Sequence, residues 1–149
     1  MKHYIAFLLL ASLFLFSCSG SKKAKVNPNQ INFSHSKSLS PLLDKAAKEN
    51  KILFVDIMTE WCLPCKMMDE DVFSDPSVIS FMNENFINYK VDAEKENGPL
   101  LALVYEVSAY PTLVFIDEKG KIIVKNVGAV SQSQLMNLAK EALAVNTEM

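Results

Sequence analysis

Two cysteines three positions apart, Cys62 and Cys65, are the residues best suited to chemistry in this sequence. They follow an apolar run at residues 52–57 and open a segment with helical spacing, so both thiols face one side of a first helical turn, within bonding distance. Free N–H groups and the helix dipole at that end favour a thiolate, which attacks in thiol-disulfide exchange. A C-x-x-C spacing also fits a metal site or a structural disulfide, but its place after a strand favours redox chemistry.

The elements that position these cysteines alternate between strand and helix. Apolar runs predict five strands, at residues 31–33, 52–57, 86–91, 112–117 and 121–127. Helical spacing begins near residues 40, 62, 76, 99 and 131. This order predicts an α/β fold in which helices flank a mixed central sheet, with parallel pairing across the helices and antiparallel pairing across a hairpin at Gly120. Asp56 is an anomaly because it interrupts the first long apolar run.

Three of these helices have recognisable start signals. Ser40-Pro41 and Asp75-Pro76 each pair an N-cap residue with a proline in the first turn, and Ser131 with Gln134 forms a capping box. The first helix is predicted to bury one apolar face, made by Leu42, Leu43, Ala46 and Ala47.

Composition excludes several classes of function. The 149 residues predict one folded domain, and the 15 basic residues, all lysine, face 17 acids for a net charge of −2, so we expect no nucleic-acid partner. Three cysteines and two histidines do not supply a four-ligand zinc site without help from carboxylates, so we expect no metal site. Chemistry at two sulfurs needs no cofactor.

The first segment predicts an export signal. Residues 1–17 combine a short positive start with an apolar run that is too short to span a bilayer, as in a secretory signal peptide. Leu15-Phe16-Ser17-Cys18 resembles the bacterial lipobox, which implies that Cys18 is lipidated and then becomes the N-terminal residue after cleavage. Lipidation of Cys18 leaves the other two cysteines as a pair. The alternative is ordinary cleavage to a soluble secreted protein.

A polar, lysine-rich stretch at residues 18–30 has the composition of a flexible tether. Residues 31–149 then form the folded domain. We therefore expect a lipid-anchored domain in the bacterial cell envelope that faces the periplasm.

Several segments resemble the thioredoxin-like family. FVDIMTEWCLPCK at residues 54–66 is similar to the active-site region of thioredoxins, and Ala109-Tyr110-Pro111-Thr112 stands where the family has a cis-proline. Gly120 and Gly128 match its later turn glycines, and residues 72–76 resemble the C-terminal domains of the DsbD family. The resemblance covers about residues 31–144 and implies the thioredoxin-like fold.

The resemblance also assigns roles. It implies that Cys62 is the nucleophile and Cys65 the buried resolving thiol. Asp56 matches the family's buried acid, which exchanges a proton with the resolving cysteine, and burial would raise its pKa toward neutrality. The alternatives are an inert disulfide and an Asp56 that is exposed or paired with a lysine.

The same resemblance predicts a substrate site. Pro111 would be cis and would leave the Tyr110 backbone free to pair with an extended substrate. Trp61 and Tyr110 would flank the disulfide as an apolar surface, with Pro64 completing the substrate-binding set. The alternatives are an ordinary trans proline and aromatic rings that only pack in the core.

Two positions depart from the family pattern. Asn88 occupies the position at which thioredoxins often place a lysine near the buried acid, and Lys90 comes two residues later, so the tuning of Asp56 is left open. The segment Asp69-Glu70-Asp71 replaces a mid-helix proline and predicts a solvated acidic face. Met67 and Met68 are expected to line the core and groove rather than bind copper.

The direction of electron flow is inferred from Leu63 and Pro64, which place neither charge nor histidine between the cysteines. In the family, histidine there accompanies oxidants, whereas this proline resembles thioredoxin, a reductant. We expect a monomeric reductase that acts on disulfide-containing exported proteins and is itself reduced by a membrane thiol donor. The alternatives are an oxidase or isomerase and a non-catalytic binding or chaperone module, while the cysteine spacing disfavours copper delivery.

Overall fold

The computed structural model describes residues 27–148. The proposed signal peptide at residues 1–17, the lipidation site at Cys18 and most of the tether lie outside this range. Between residues 27 and 148, none of the helices is long and apolar enough to cross a bilayer.

A five-stranded mixed sheet organises the described residues. Its strands are β1 (Phe33–Ser34), β2 (Ile52–Met58), β3 (Phe86–Asp92), β4 (Thr112–Ile116) and β5 (Ile122–Val127). Their spatial order is β1-β3-β2-β4-β5. β3 pairs in parallel with β1 and β2, whereas β4 is antiparallel to both β2 and β5. The predicted parallel crossovers and antiparallel hairpin are therefore confirmed.

Helices cover both faces of this sheet. They are α1 (Ser40–Glu49), α2 (Leu63–Asp71), α3 (Pro76–Asn85), α4 (Gly98–Val104) and α5 (Gln132–Glu148). The buried side chains of α1 and α4 pack on one face of the sheet, and those of α2, α3 and α5 pack on the other. The predicted α/β fold with flanking helices is confirmed.

Strand β2 is central and directs alternate side chains into the two cores. Leu53, Val55 and Ile57 pack toward α1 and α4, whereas Ile52 and Phe54 pack toward α2, α3 and α5. Because strand side chains alternate, Asp56 points into the same layer as Phe54, which is the layer that contains α2. The anomalous carboxyl thus lies on the face of the sheet that α2 covers.

Two of the helix starts are as the sequence predicts. The carboxylate of Asp75 accepts hydrogen bonds from the N–H groups of Ser77 at 2.9 Å and Val78 at 3.2 Å. Ser131 and Gln134 form a reciprocal capping box, in which each side chain accepts from the other residue's backbone N–H. These contacts satisfy N–H groups that have no partner inside the helix.

Two predictions about α1 are wrong. Ser40 is the first residue of the helix and not its cap, because Leu39 occupies the N-cap position and no side chain caps it. Leu42 and Ala46 are buried on the predicted face, but Ala47 is exposed. Ala47 lies about 100° around the helix from Ala46, which turns it away from the sheet.

Candidate active site

The cysteine pair lies at the start of α2. Cys62 and Cys65 form a disulfide with an S–S distance of 2.03 Å and a Cα–Cα distance of 5.3 Å. Cys62 is the N-cap residue, and its Sγ accepts a hydrogen bond from the Cys65 N–H at 3.1 Å. The predicted helix start is confirmed, and its free N–H groups and dipole favour a thiolate on Cys62 after reduction.

A tight turn connects this helix to the central strand. β2 ends at Met58, and the Cys62 N–H donates to the Thr59 carbonyl oxygen at 3.1 Å. This turn therefore places the disulfide directly after the end of β2, at the start of α2. Both cysteines are almost fully buried in this oxidised state.

A groove of about 410 Å³ opens beside the disulfide. Its walls come from the active-site turn and from the loop before β4, and they are lined by Trp61, Cys62, Leu63, Pro64, Ser108, Ala109 and Tyr110. The structure thus brings the predicted residues Trp61, Pro64 and Tyr110 together around Cys62.

The two aromatic residues of the groove differ in burial. Trp61 is 65% exposed, which is too open for a core residue, and its ring meets that of Tyr110 edge-on at a centroid distance of 5.8 Å. Tyr110 is half-buried and also packs against the core beneath α1 and α4. The Trp61 indole N–H donates to the carboxylate of Glu94 at 3.1 Å, a contact that the sequence did not predict.

The loop before β4 forms the second wall. The Tyr110–Pro111 peptide bond is cis, as the sequence predicts. Pro111 itself is buried, so Ala109 and Tyr110 provide the exposed surface. The Pro111 carbonyl oxygen accepts from the Gly128 N–H at 2.8 Å, which ties this loop to the end of β5.

Asp56 is the buried carboxyl of the site. It is 1% exposed, and burial raises its pKa from 3.8 to about 6, with the nearby Asp69 carboxylate acting in the same direction. The Lys90 ammonium, 3.2 Å from Oδ2, opposes this rise. The Oδ1 atom has no hydrogen-bond partner among the described residues. Asp56 is therefore both buried and paired with a lysine, two environments that the sequence predicts only as alternatives.

The partner of Asp56 corrects our assignment of Asn88 to that position. The parallel register of β2 and β3 places Lys90 opposite Asp56, whereas Asn88 lies opposite Phe54, deeper in the core. The Asn88 amide donates to the Met82 carbonyl oxygen at 3.2 Å. A lysine does accompany the buried acid, two residues later than the resemblance suggested.

The acidic segment of α2 is exposed, as predicted. Asp69, Glu70 and Asp71 all lie at the surface, and Asp69 also forms an ion pair with Lys90. Met68 is buried in the core and Met67 is exposed. Among residues 27–148, no group of three histidine, cysteine, aspartate or glutamate side chains is arranged to hold a metal ion.

Comparison with known proteins agrees with this geometry. The model of the thioredoxin-like domain family matches residues 39–143. A putative disulphide-isomerase from Bacteroides thetaiotaomicron is 38% identical, with a TM-score of 0.69 over 79% of this chain and 97% of that one. The C-terminal domain of DsbD from Neisseria meningitidis has a TM-score of 0.59 and is 23% identical over 74% of this chain and 97% of that one. This second likeness supports the fold only.

DsbD from Campylobacter jejuni is 28% identical over 91% of this chain, which spans only 26% of that relative's length. The family match at residues 39–143 contains the central strand β2, the cysteine pair and the helix α2 that follows it. The chain belongs to the thioredoxin-like family, and its Cys62–Cys65 pair is that of a thiol-disulfide oxidoreductase of the thioredoxin and DsbD type.

Proposed function

We propose that this protein is a lipid-anchored reductase that faces the periplasm and reduces disulfide bonds in exported proteins. The observation that carries the proposal is the pair of uncharged residues, Leu63 and Pro64, between two cysteines at the N-terminus of α2. A group that stabilised the Cys62 thiolate further would stabilise the reduced form and make the protein a stronger oxidant. Leu63 and Pro64 supply neither a positive charge nor a side-chain hydrogen bond, which favours a reducing pair.

The reaction follows from the positions of the two sulfurs. The Cys62 thiolate attacks one sulfur of the substrate disulfide, forms a mixed disulfide and releases the other substrate sulfur as a thiolate, which takes a proton from water. Cys65 then loses its proton to Asp56 and attacks the Cys62 Sγ. This second exchange breaks the mixed disulfide and releases the second substrate sulfur as a thiolate, which also takes a proton from water. The substrate leaves as a dithiol and the Cys62–Cys65 disulfide is formed, so two electrons pass to the substrate.

The groove provides the substrate contacts. An extended segment pairs with the backbone at Tyr110, while Trp61 and Pro64 offer apolar surface on the other wall. The edge-on contact between Trp61 and Tyr110 joins the two walls near Cys62. A membrane thiol donor of the DsbD class then reduces the disulfide again, in agreement with the similarity to DsbD.

The location is proposed from the sequence. The apolar segment at residues 1–17 and the lipobox-like Cys18 predict export and lipid anchoring, and residues 18–30 would connect the lipid to the domain. Replacing Cys18 with alanine should release the mature domain from membranes, and metabolic labelling with a lipid precursor should mark the wild-type protein only. Labelling of the Cys18→Ala variant would contradict the assignment.

The reduction potential tests the direction of electron flow. The domain without its lipid is equilibrated with a graded series of dithiothreitol or glutathione, and the fluorescence of Trp61 reports the state of the adjacent disulfide. A value of about −270 mV, as in thioredoxin, supports the reductase, whereas about −120 mV would identify an oxidant. The matched control, Cys65→Ser, should show no reversible transition of this kind.

A second candidate function is disulfide isomerisation, because the similar Bacteroides thetaiotaomicron protein is described as a putative disulphide-isomerase. An isomerase needs only the attack by Cys62, since the substrate's own thiol resolves the mixed disulfide. The Cys65→Ser variant would therefore still reactivate a scrambled substrate if isomerisation is the function. A reductase loses turnover with this change, and a binding module would keep its activity even in Cys62→Ser.

A further inference from the structure

The ammonium of Lys90 is held from four sides. It lies 3.2 Å from Asp56 Oδ2, forms a second ion pair with the carboxylate of Asp69, and lies 5.2 Å from the ring centroids of both Phe33 and Phe73. The side chain of Asp56 is 2% exposed, that of Lys90 21% and that of Asp69 42%. The three charged groups thus form a row from the buried carboxyl to solvent.

We propose that Asp69 is a positioning residue that shares Lys90 with Asp56 and so keeps Asp56 able to accept the proton of Cys65. This inference rests on the proposed function for its role in turnover, although the effect on Asp56 itself does not. A lysine bound by Asp56 alone would stabilise the carboxylate and make it a poorer base. By holding the same ammonium, and by adding a second negative charge nearby, Asp69 opposes that stabilisation.

The aromatic rings determine whether removal of the Asp69 charge lowers or raises the pKa of Asp56. If Asp69 alone held Lys90 in place, its removal would release the ammonium and leave Asp56 without a cation. Phe33 and Phe73 offer their ring faces within the distance of a cation–π contact, so they retain Lys90 beside Asp56 when Asp69 is neutralised. The ammonium then acts on Asp56 alone, and the proton affinity of Asp56 decreases.

Other charged groups near Asp56 do not replace Asp69. In the sheet, β3 presents Lys90 to Asp56 and β4 presents the apolar Leu113. The helix α2, which covers this face, carries Cys65 and Asp69, and the Asp69 carboxylate acts on Asp56. The groove of about 580 Å³ at Lys90 is also lined by His35, Glu60, Asp92 and Lys95. Of these, Lys95 pairs with both Glu60 and Asp92. Asp69 is thus the acid outside the buried core that forms an ion pair with Lys90.

The first experiment measures Asp56 directly in the oxidised protein, in which no active-site thiol titrates. Carboxyl-detected NMR follows the resonance of Asp56 against pH in the wild type and in Asp69→Asn. We expect the pKa of Asp56 to fall by about one unit in Asp69→Asn. Asp69→Glu, which can restore the ion pair, should recover most of the wild-type value.

Neighbouring acids on the same helix provide matched controls. Glu70→Gln and Asp71→Asn each remove one negative charge from α2, but both residues are exposed and neither forms an ion pair with Lys90. Each control should shift the titration of Asp56 much less than Asp69→Asn does. If Asp69→Asn, Glu70→Gln and Asp71→Asn shift the pKa of Asp56 equally, or if this pKa rises in Asp69→Asn, the inference is wrong.

A second measurement separates this inference from the proposed function. The rate at which Cys65 resolves a mixed disulfide at Cys62 is measured against pH in the wild type and in Asp69→Asn. A lower pKa of Asp56 together with a shifted rate profile supports both ideas. A lower pKa with an unchanged rate profile supports the action of Asp69 on Asp56 and contradicts the role of Asp56 as the base.

Discussion

Replacement of Asp56 with asparagine should stabilise the protein at neutral pH. The pKa of this carboxyl is raised from 3.8 to about 6, with burial as the largest cause, so the folded state binds the proton more tightly than the unfolded state does. The stabilisation from this group is therefore present in full below pH 3.8 and is lost as the pH rises to about 6. A pKa shift of about two units corresponds to a loss of about 3 kcal/mol in the free energy of unfolding.

The assay compares the urea-induced unfolding of the oxidised wild type and of Asp56→Asn between pH 3.5 and 8. Asparagine resembles the protonated carboxyl in shape, so a change in packing adds a constant offset to the difference between the two proteins. The part of this difference in unfolding free energy that changes with pH reports the ionisation of Asp56. We expect the unfolding free energy of Asp56→Asn, relative to that of the wild type, to increase by about 3 kcal/mol from the acidic to the neutral end.

Asp71→Asn is the control, because it replaces an exposed carboxyl on α2. The difference in unfolding free energy between Asp71→Asn and the wild type should change little over the same pH range. A pH-independent difference for Asp56→Asn would refute the reasoning, as would a loss of stability that grows toward neutral pH. The second result would mean that Lys90 outweighs burial and stabilises the Asp56 carboxylate.

Four further substitutions test the core, the start of α4 with a matched glycine control, and the groove. Phe54→Ala removes a fully buried ring and should cost about 3 to 5 kcal/mol in urea unfolding; a loss below about 1 kcal/mol would contradict this. Gly98→Ala places a Cβ 1.8 Å from a backbone oxygen and should lower the free energy of unfolding by at least about 3 kcal/mol. Gly128→Ala, with open space around a φ of +97°, should lower it by about 1 kcal/mol. Equal losses in the two variants would refute the clash at Gly98. Trp61→Ala should raise the KM for a disulfide-containing peptide about threefold to tenfold and leave the unfolding free energy almost unchanged; an unchanged KM would exclude this wall from binding.

Most of the fold could be predicted because its elements have strong local signals. The run at residues 52–57 is apolar on both faces, as a central strand between two helical layers requires. The Asp75 cap and the capping box at Ser131 are also local patterns. The cap predicted at Ser40 failed because Pro41 is tolerated anywhere in the first helical turn, so it does not fix which residue precedes the helix.

The site could be predicted only where its residues are adjacent in sequence or stand in a family motif. Cys62, Cys65 and Trp61 occupy one turn, and Pro111 follows a recognisable motif. The contact between Trp61 and Glu94 was missed because it joins the active-site turn to the loop after β3, 33 residues away. No local pattern identifies which of the acids in that loop reaches the indole.

Lys90 illustrates the physical limit of such predictions. Asn88 and Lys90 lie on the same face of β3, so alternation alone does not show which of them meets Asp56. Only the register of β3 against β2 separates them, and it places Asn88 opposite the buried ring of Phe54. An ammonium at that depth would lack a carboxylate partner, whereas at position 90 it reaches two acids and the groove. The cost of burying an unpaired charge therefore favours the lysine at the end of the strand, beside Asp56.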